Sequence, residues 1–500
     1  MKNYLIPLCL CLSTHAYAQQ DDALIKKDAF FKIGVESVSL NKNENMGMIG
    51  AAYMIETLDG LYLGPAAYGA VRGQRGGFFT GGGEAIYRYK INPKMSFDTG
   101  FYFGGGGGGA ANVGGGMMLR PHVGLMWDFG GIRAGVSASQ VKFPNGHISS
   151  NQLGLVFALD DTFNYFNPSQ VGKNVNTSKR GGVGFDEVAI HLTQSKPINK
   201  NERTTRGGRA PASTYYAGFL MTQEKNNNWF WGVEAAGAVK GSSDGYAEVL
   251  GTVGVKKELN SIFSVGSRVS LGMGGGGGID TGGGSLAKAA LFSKIQLNPE
   301  ISLGFEGGVV RALSGDFNGR YASVQMAIAL DHPFSKSSKA NNSSGSANES
   351  SVVEGWEWDA VAQRYTSAAR RDHSERPLSN VGFKLNRKIS EHFYLSGQAH
   401  SAMAGGAGAF SVGLLGLGWS SPAIVGNVRV NTEMLVGAAG GGGVDSDGGA
   451  IVQPMAYLNI PVNPHWHVKA GVGRVKSLKG NLNSPVLEFS LSYQLGLPRR

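Results

Sequence analysis

Along much of this chain, apolar and polar residues alternate with a period of two. Near the C-terminus Leu487, Phe489, Leu491, Tyr493 and Leu495 are interleaved with Glu488, Ser490, Ser492 and Gln494. The same pattern places Val324, Met326, Ile328 and Leu330 between Ser323, Gln325, Ala327 and Ala329. It recurs at Leu153, Leu155, Phe157 and Leu159, set among Gln152, Gly154, Val156 and Ala158. Successive side chains of a strand point to opposite faces, so each run predicts a strand with one apolar and one polar face. In the N-terminal third the pattern predicts strands over 30–40, 48–58, 61–71, 77–90, 95–105, 115–128, 131–142 and 149–159.

The connections alternate in length. Leu58-Asp59-Gly60, Asn92-Pro93-Lys94 and Phe129-Gly130-Gly131 carry the residues of tight turns. Asn298-Pro299-Glu300 and Asn463-Pro464-His465 repeat that chemistry later in the chain. The opposite strand ends carry longer connections, such as Ser195–Ser213 and Ser367–Ser379.

Self-similarity organises these strands into three repeats. Gly104–Gly109 precedes Asn112 and a second glycine run at 114–116. Gly274–Gly278 precedes Asp280 and Gly282–Gly284, and Gly440–Gly443 precedes Asp445 and Gly448-Gly449. Asn112, Asp280 and Asp445 lie 168 and 165 residues apart (280 − 112 and 445 − 280). Repeats over 29–160, 184–332 and 355–497 follow, each of about eight strands, separated by segments at 161–183 and 333–354. The second segment contains the solvated run Ser335–Ser344.

Composition narrows the class. Glycine makes up 78 of 500 residues, about twice the usual ~7%. Proline is only 17, which excludes collagen, and 10% aromatics in strand-like runs argue against general disorder. Lys2, the apolar stretch from Tyr4 to Leu12 and Ala16-Tyr17-Ala18 form the pattern of a secretory signal over 1–18. Both cysteines, Cys9 and Cys11, fall inside it. The mature chain is then expected to lack disulfides and thiol chemistry. Beyond Ala18 no apolar run approaches the ~18–20 residues of a transmembrane helix.

Strand runs of about ten residues, with short turns at one end and longer loops at the other, are the pattern of outer-membrane barrels. The chain resembles a Gram-negative outer-membrane β-barrel protein across its mature length, in pattern only, with no motif that picks out one family. The resemblance implies an all-β, antiparallel transmembrane fold of about 24 strands in the cell outer membrane. A single large closed barrel is favoured over three small ones, because it would remove every sheet edge. Asp98, Arg268, Arg429 and Glu433 are expected to point inward. Starting from the periplasm, the glycine segments should face outside, and the last strand should present Leu487, Phe489, Leu491, Tyr493 and Leu495 to lipid. There a charge at the inward Ser490 should cost less than one at Phe489.

No candidate chemistry rises from the glycine runs. A phosphate loop needs a following Lys-Ser/Thr, and none is present. Gly275–Thr281 matches seven positions of a calcium β-roll repeat, but Gly282 stands where a large apolar residue belongs. The favoured reading is a bare hairpin that allows close backbone approach. Gly106, Gly107, Gly276, Gly277, Gly441 and Gly442 are the candidate contacts to a partner or polymer. His465 and His467 have no third ligand in view, and His122, His147, His191 and His400 have no recommending spacing. The expectation is therefore no catalytic residue, no metal site and no cofactor. Trp229, Trp231, Trp356, Trp358, Trp419 and Trp466 fit an interfacial girdle.

Net charge is +10, and +9 after loss of Lys2 with the signal. Arg203, Arg206 and Arg209 in one outer loop, and Arg370, Arg371 and Arg376 in another, are candidates to meet lipopolysaccharide phosphates, an anionic polymer or a surface partner. Nucleic acid is not expected as a partner. The functional expectation is a non-enzymatic channel or export pore for solute or polymer. Its alternative is a structural or adhesive surface protein whose loops bind a partner.

Overall fold

The computed structural model describes residues 24–40, 44–177, 179–199, 202–205, 207–225, 228–241, 243–330 and 350–499. The expected signal at 1–18, the run Ser335–Ser344 and Arg206 lie outside them. The chain forms three closed eight-stranded antiparallel barrels. Barrel 1 comprises β1 (Ile25–Leu40), β2 (Glu44–Leu58), β3 (Leu61–Arg72), β4 (Phe79–Asn92), β5 (Met95–Gly107), β6 (Met118–Asp128), β7 (Ile132–Lys142) and β8 (Ser149–Tyr165). The connecting segment contributes the short β9 (Asn174–Asn176). Barrel 2 comprises β10 (Glu187–Pro197), β11 (Thr214–Lys225), β12 (Trp229–Lys240), β13 (Ala247–Glu258), β14 (Phe263–Gly275), β15 (Ser285–Gln296), β16 (Ile301–Ala312) and β17 (Asn318–Ala329). Barrel 3 comprises β18 (Ser350–Ala369), β19 (Glu375–Lys388), β20 (Phe393–Ala404), β21 (Ser411–Ser420), β22 (Arg429–Gly440), β23 (Ala450–Pro461), β24 (Trp466–Ser477) and β25 (Asn483–Arg499).

The expected single large barrel is corrected by the closing pairs. Phe31 lies opposite Leu159, His191 opposite Gln325 and Gln363 opposite Glu488. Each first strand thus spends its free edge on the eighth strand of its own repeat, and no edge is left for a neighbouring repeat. β8 also runs on to Tyr165, into the segment expected as a connection. That segment does not pass straight to barrel 2. β9 pairs with the start of β18, and Phe166 bridges Gly496, so it is stitched onto barrel 3 first. The expected loop Ser367–Ser379 is largely strand, leaving a turn at 370–374.

Alternation sets the radial direction. Leu153, Leu155, Phe157 and Leu159 of β8 are exposed on the outer surface, as are Val324 and Met326 of β17 and Leu487, Phe489 and Leu491 of β25, whereas Leu495, expected to face lipid, is buried with Phe163 and Tyr165 of barrel 1, and Tyr493 packs against the same cluster. A surface of this kind is stable against hydrocarbon and not against water. Three closed barrels with apolar outer faces are the architecture of Gram-negative outer-membrane proteins, and the chain has that architecture.

The inward positions are not water-lined. At the end holding the glycine loops, called the outer end below, Phe78, Val113 and Phe143 fill barrel 1. Tyr246, Ile279 and Phe317 do so in barrel 2, and Phe410, Val444 and Leu482 in barrel 3. This corrects the expectation that a charge at Ser490 would be cheap. Ser490 is fully buried, donates to Glu488 Oε1 at 2.8 Å and lies opposite Lys469 on β24. Phe489→Lys should cost about 2–4 kcal/mol if that residue sits near the bilayer midplane. Ser490→Lys should cost at least as much, because it forces a second ammonium into a closed space beside Lys469. Urea unfolding of both variants in lipid vesicles checks the order.

Candidate interaction site between the barrels

β5, β14 and β22 each end outward in consecutive glycines, which leave the strand with no side chain where another backbone must pass. Gly107, Gly275 and Gly440 occupy equivalent positions in the three repeats. A Cβ on Gly107 would stand 2.6 Å from Gly408 O of barrel 3. One on Gly275 would stand 2.4 Å from Gly77 N of barrel 1, and one on Gly440 2.2 Å from Gly245 N of barrel 2. Each fifth strand therefore presses on the loop between the third and fourth strands of a neighbour. Barrel 1 meets 3, barrel 3 meets 2 and barrel 2 meets 1. The contacts close into a ring with approximate threefold symmetry.

Hydrogen bonds tie the ring. Gly76 N donates to Gly282 O at 2.8 Å between barrels 1 and 2, and Gly408 N to Gly114 O at 3.2 Å between barrels 3 and 1. Arg371 pairs with Asp244 between barrels 3 and 2. Ser285 Oγ donates to Val71 O, again between barrels 2 and 1. Toward the inner end aromatic rings take over. Trp231 meets Phe31 edge-on at 5.6 Å, and Trp358 meets Phe163 at 5.3 Å. These two tryptophans bind barrel to barrel, whereas Trp229 and Trp419 remain exposed near strand ends, as a girdle requires.

Of the six glycines singled out from sequence, Gly107 faces a neighbouring barrel. The other five press on their own barrel, Gly106 on the start of β4 and the rest on loops. Gly106 is held by Phe79 O, Gly276 by Gly245 O, Gly277 by Ser243 O, Gly441 by Ala409 O and Gly442 by Ala407 O. Directions alternate along a strand, so Gly106 and Gly107 face opposite ways, whereas Gly276-Gly277 and Gly441-Gly442 lie past the ends of β14 and β22 and both members of each pair face their own barrel. The partner loops at Gly76-Gly77, Asp244-Gly245 and Gly408 were not singled out. Their signal was available, since Gly77 and Gly245 recur at the same spacing of 168 (245 − 77) as the glycine runs.

Below the apolar plugs, each barrel holds a charged cluster. Arg120 grips Glu36 through two bonds of 2.9 and 2.7 Å, and Lys32 and His122 both meet Glu84, at 2.5 and 2.7 Å. In barrel 2, Arg268 grips Glu306 at 2.8 and 2.7 Å and reaches Glu234 at 2.5 Å, while Lys288 meets Glu234 at 2.7 Å and pairs with Glu248. In barrel 3, Lys384 meets Glu488 at 2.9 Å, Glu433 at 3.1 Å and Tyr457 Oη at 2.8 Å. Lys469 meets Asp359 at 2.9 Å and pairs with Glu357. Asp98, Arg268 and Glu433 are buried inside, as expected, and half-buried Arg429 donates to Ser421 O at 3.3 Å.

His122, His191 and His400 are buried among these clusters. His465 stacks on Tyr493 at 5.1 Å, and His467 bonds Asn459 Oδ1 through Nδ1 at 2.9 Å. Of the outer cations, Arg371 is taken up by the ring, Arg376 pairs with Asp372, and Arg370 donates to Gly405 O at 3.1 Å.

No family model and no curated protein matches this chain. Among solved structures, the chain aligns with Pseudomonas aeruginosa OccK1 (OpdK) at 8% identity and a TM-score of 0.23, over 94% of this chain and 98% of that one. It aligns with the ferric enterobactin receptor PfeA at 9% identity and a TM-score of 0.28, over 94% and 81%. The NanC porin aligns at 9% identity and a TM-score of 0.16, over 60% of this chain and all of that one. At such scores the three-barrel arrangement rests on this chain's own strand pairing.

Proposed function

We propose that this chain is a non-enzymatic outer-membrane protein that acts through the surface of its three fused barrels, as a rigid platform presenting its loops to a partner. One observation carries the reading. The interior of each barrel is filled, by an apolar plug at the outer end and by a paired charged cluster beneath it. Passage through a barrel would have to break salt bridges inside a low-dielectric wall and displace aromatic side chains. A solute route, the first expectation from sequence, would then have to run elsewhere than through the three interiors. The collar of backbone contacts supports the platform reading, because it holds the three sets of loops at fixed separations. Exposed Arg203 and Arg209 on the outer loop of barrel 2 suit contact with lipopolysaccharide phosphates.

Reconstitution into planar bilayers tests this. The expected record is a sealed bilayer with no stable, voltage-independent openings. Reproducible unitary openings from a homogeneous preparation would replace the platform with a channel.

A further inference from the structure

At the outer end of barrel 2, three cations point away from the barrel on three neighbouring strands. Lys196 of β10 lies directly opposite Arg320 of β17. Arg311 of β16 lies opposite Asn318, one diagonal step from Arg320. Ser195, Val310, Ala312, Gly319 and Tyr321 beside them are buried, so alternation turns all three cations outward, where they are exposed. Opposite Cβ atoms stand about 4.5–5.5 Å apart and diagonal ones about 7–8 Å, which puts all three long side chains within reach of one phosphate-sized anion. None of the three has an ion-pair or hydrogen-bond partner among the described residues. The acids of the adjoining loops do not serve them. Glu202 is buried and accepts from Asn318 N at 3.2 Å, and Asp316 is exposed in the turn between β16 and β17.

Like charges directly opposite each other in a sheet are destabilising, so Lys196 facing Arg320 calls for an anion from outside the chain. Part of the arrangement recurs. The turn after the seventh strand closes alike in each barrel, with Phe143 N on Ile148 O at 2.9 Å, Ala312 N on Phe317 O at 2.8 Å and Ser477 N on Leu482 O at 2.9 Å. The residue before each of these donors is an exposed cation, Lys142, Arg311 or Lys476. On the same outer face of barrel 2, Val309 lies opposite Arg320, and Leu192 and Val324 pair four residues farther in, about 13 Å below the cations at the rise of a strand. These three are 47%, 64% and 49% exposed. An anion bound here is therefore seated above hydrocarbon. We propose that Lys196, Arg311 and Arg320 hold a phosphate of lipopolysaccharide, whose acyl chains lie over Val309, Leu192 and Val324. The site rests on placement in the outer membrane and lies on the outer wall of barrel 2, so it stands whether or not the barrels conduct.

The test uses the full chain in detergent micelles and native mass spectrometry with diphosphoryl lipid A. Retention should be saturable, and the same lipid stripped of both phosphates should bind about tenfold more weakly, since the charge-assisted bonds are lost. Arg311→Gln with Arg320→Gln should produce a similar loss, with heat-modifiable mobility on gels showing that the variant folds. Inorganic phosphate at the lipid's concentration should not displace it. A second measurement reads the repulsion itself. Arg320→Gln should raise the urea midpoint in phosphatidylcholine vesicles and lower it once lipid A is added. Equal binding of the two lipids, displacement by inorganic phosphate, a loss seen only with Arg203→Gln and Arg209→Gln in the loop above, or a midpoint that moves the same way in both vesicles would each overturn the assignment.

Discussion

Lys384→Met should cost barrel 3 about 3–5 kcal/mol, the usual penalty for breaking one side of a buried ion pair. Lys384 is 1% exposed and is the shared cation of Glu433 and Glu488, which are themselves buried. Removing the ammonium leaves two carboxylates facing each other inside a closed wall. Tyr394 and Tyr457 still donate to Glu433, each at 3.0 Å, and Gln363 donates to Glu488 at 2.7 Å. Those neutral bonds do not cancel the charge. The triple variant Lys384→Met, Glu433→Gln, Glu488→Gln removes all three charges together and should return to within about 1–2 kcal/mol of the parent, since replacing a whole buried ionic cluster is often close to neutral. Urea unfolding in vesicles, followed by tryptophan fluorescence and by heat-modifiable mobility on gels, measures both. A single variant that loses less than about 1 kcal/mol would mean that water reaches the cluster, and the sealed interior would fall with it.

How much of this was legible follows from what alternation can encode. A period of two separates the faces of a strand, and it placed Leu153, Leu155, Phe157 and Leu159 outward, where they are 80%, 53%, 48% and 53% exposed. It also placed Asp98, Arg268 and Glu433 inward. Alternation is identical for strands of a large barrel and a small one, so closure was out of its reach. Closure depends on which edges pair, as β1 with β8 does, and pairing is a property of distant segments. The partners inside each cluster were hidden for the same reason. Lys32 and Glu84 stand 52 residues apart on strands that are not neighbours, and only the stagger of the closed barrel brings them together.

The glycine collar was half legible. Recurrence at a fixed spacing marked it, and absence of side chains pointed to close backbone approach. Its facing was ambiguous because consecutive glycines carry no alternation to read. The structure resolves that ambiguity by one residue: in the second repeat Gly275 faces barrel 1, whereas Gly276 and Gly277 face the loop of their own barrel.

That difference makes the last prediction sharp. Replacing Gly276 and Gly277 together by Val should destabilise barrel 2 by about 4 kcal/mol or more, from left-handed strain plus overpacking. Gly276 has φ 92° and Gly277 φ 57°, a region that β-branched residues avoid. Their Cβ atoms would also lie 2.2 Å from Gly245 O and from Ser243 O, both backbone atoms that cannot step aside. The loop would then leave the mouth it caps, and Ile279 would leave the apolar plug. Asp280→Asn, at the residue next to Ile279, should by contrast change stability by less than about 0.5 kcal/mol, the range of ordinary surface substitutions. Its Oδ1 accepts from Gly282 N at 3.0 Å, and the asparagine carbonyl oxygen can accept that bond unchanged. Gly275→Val supplies the third arm, because its Cβ would meet Gly77 N of barrel 1. Its Cβ would also lie 2.5 Å from Thr281 Oγ1 of its own loop, so it should disturb the mouth of barrel 2 less than the double variant while loosening the hold on barrel 1, read as new protease cleavage between the barrels. If all three variants unfold alike at the parent urea concentration, the collar has no separate role for its two glycine faces.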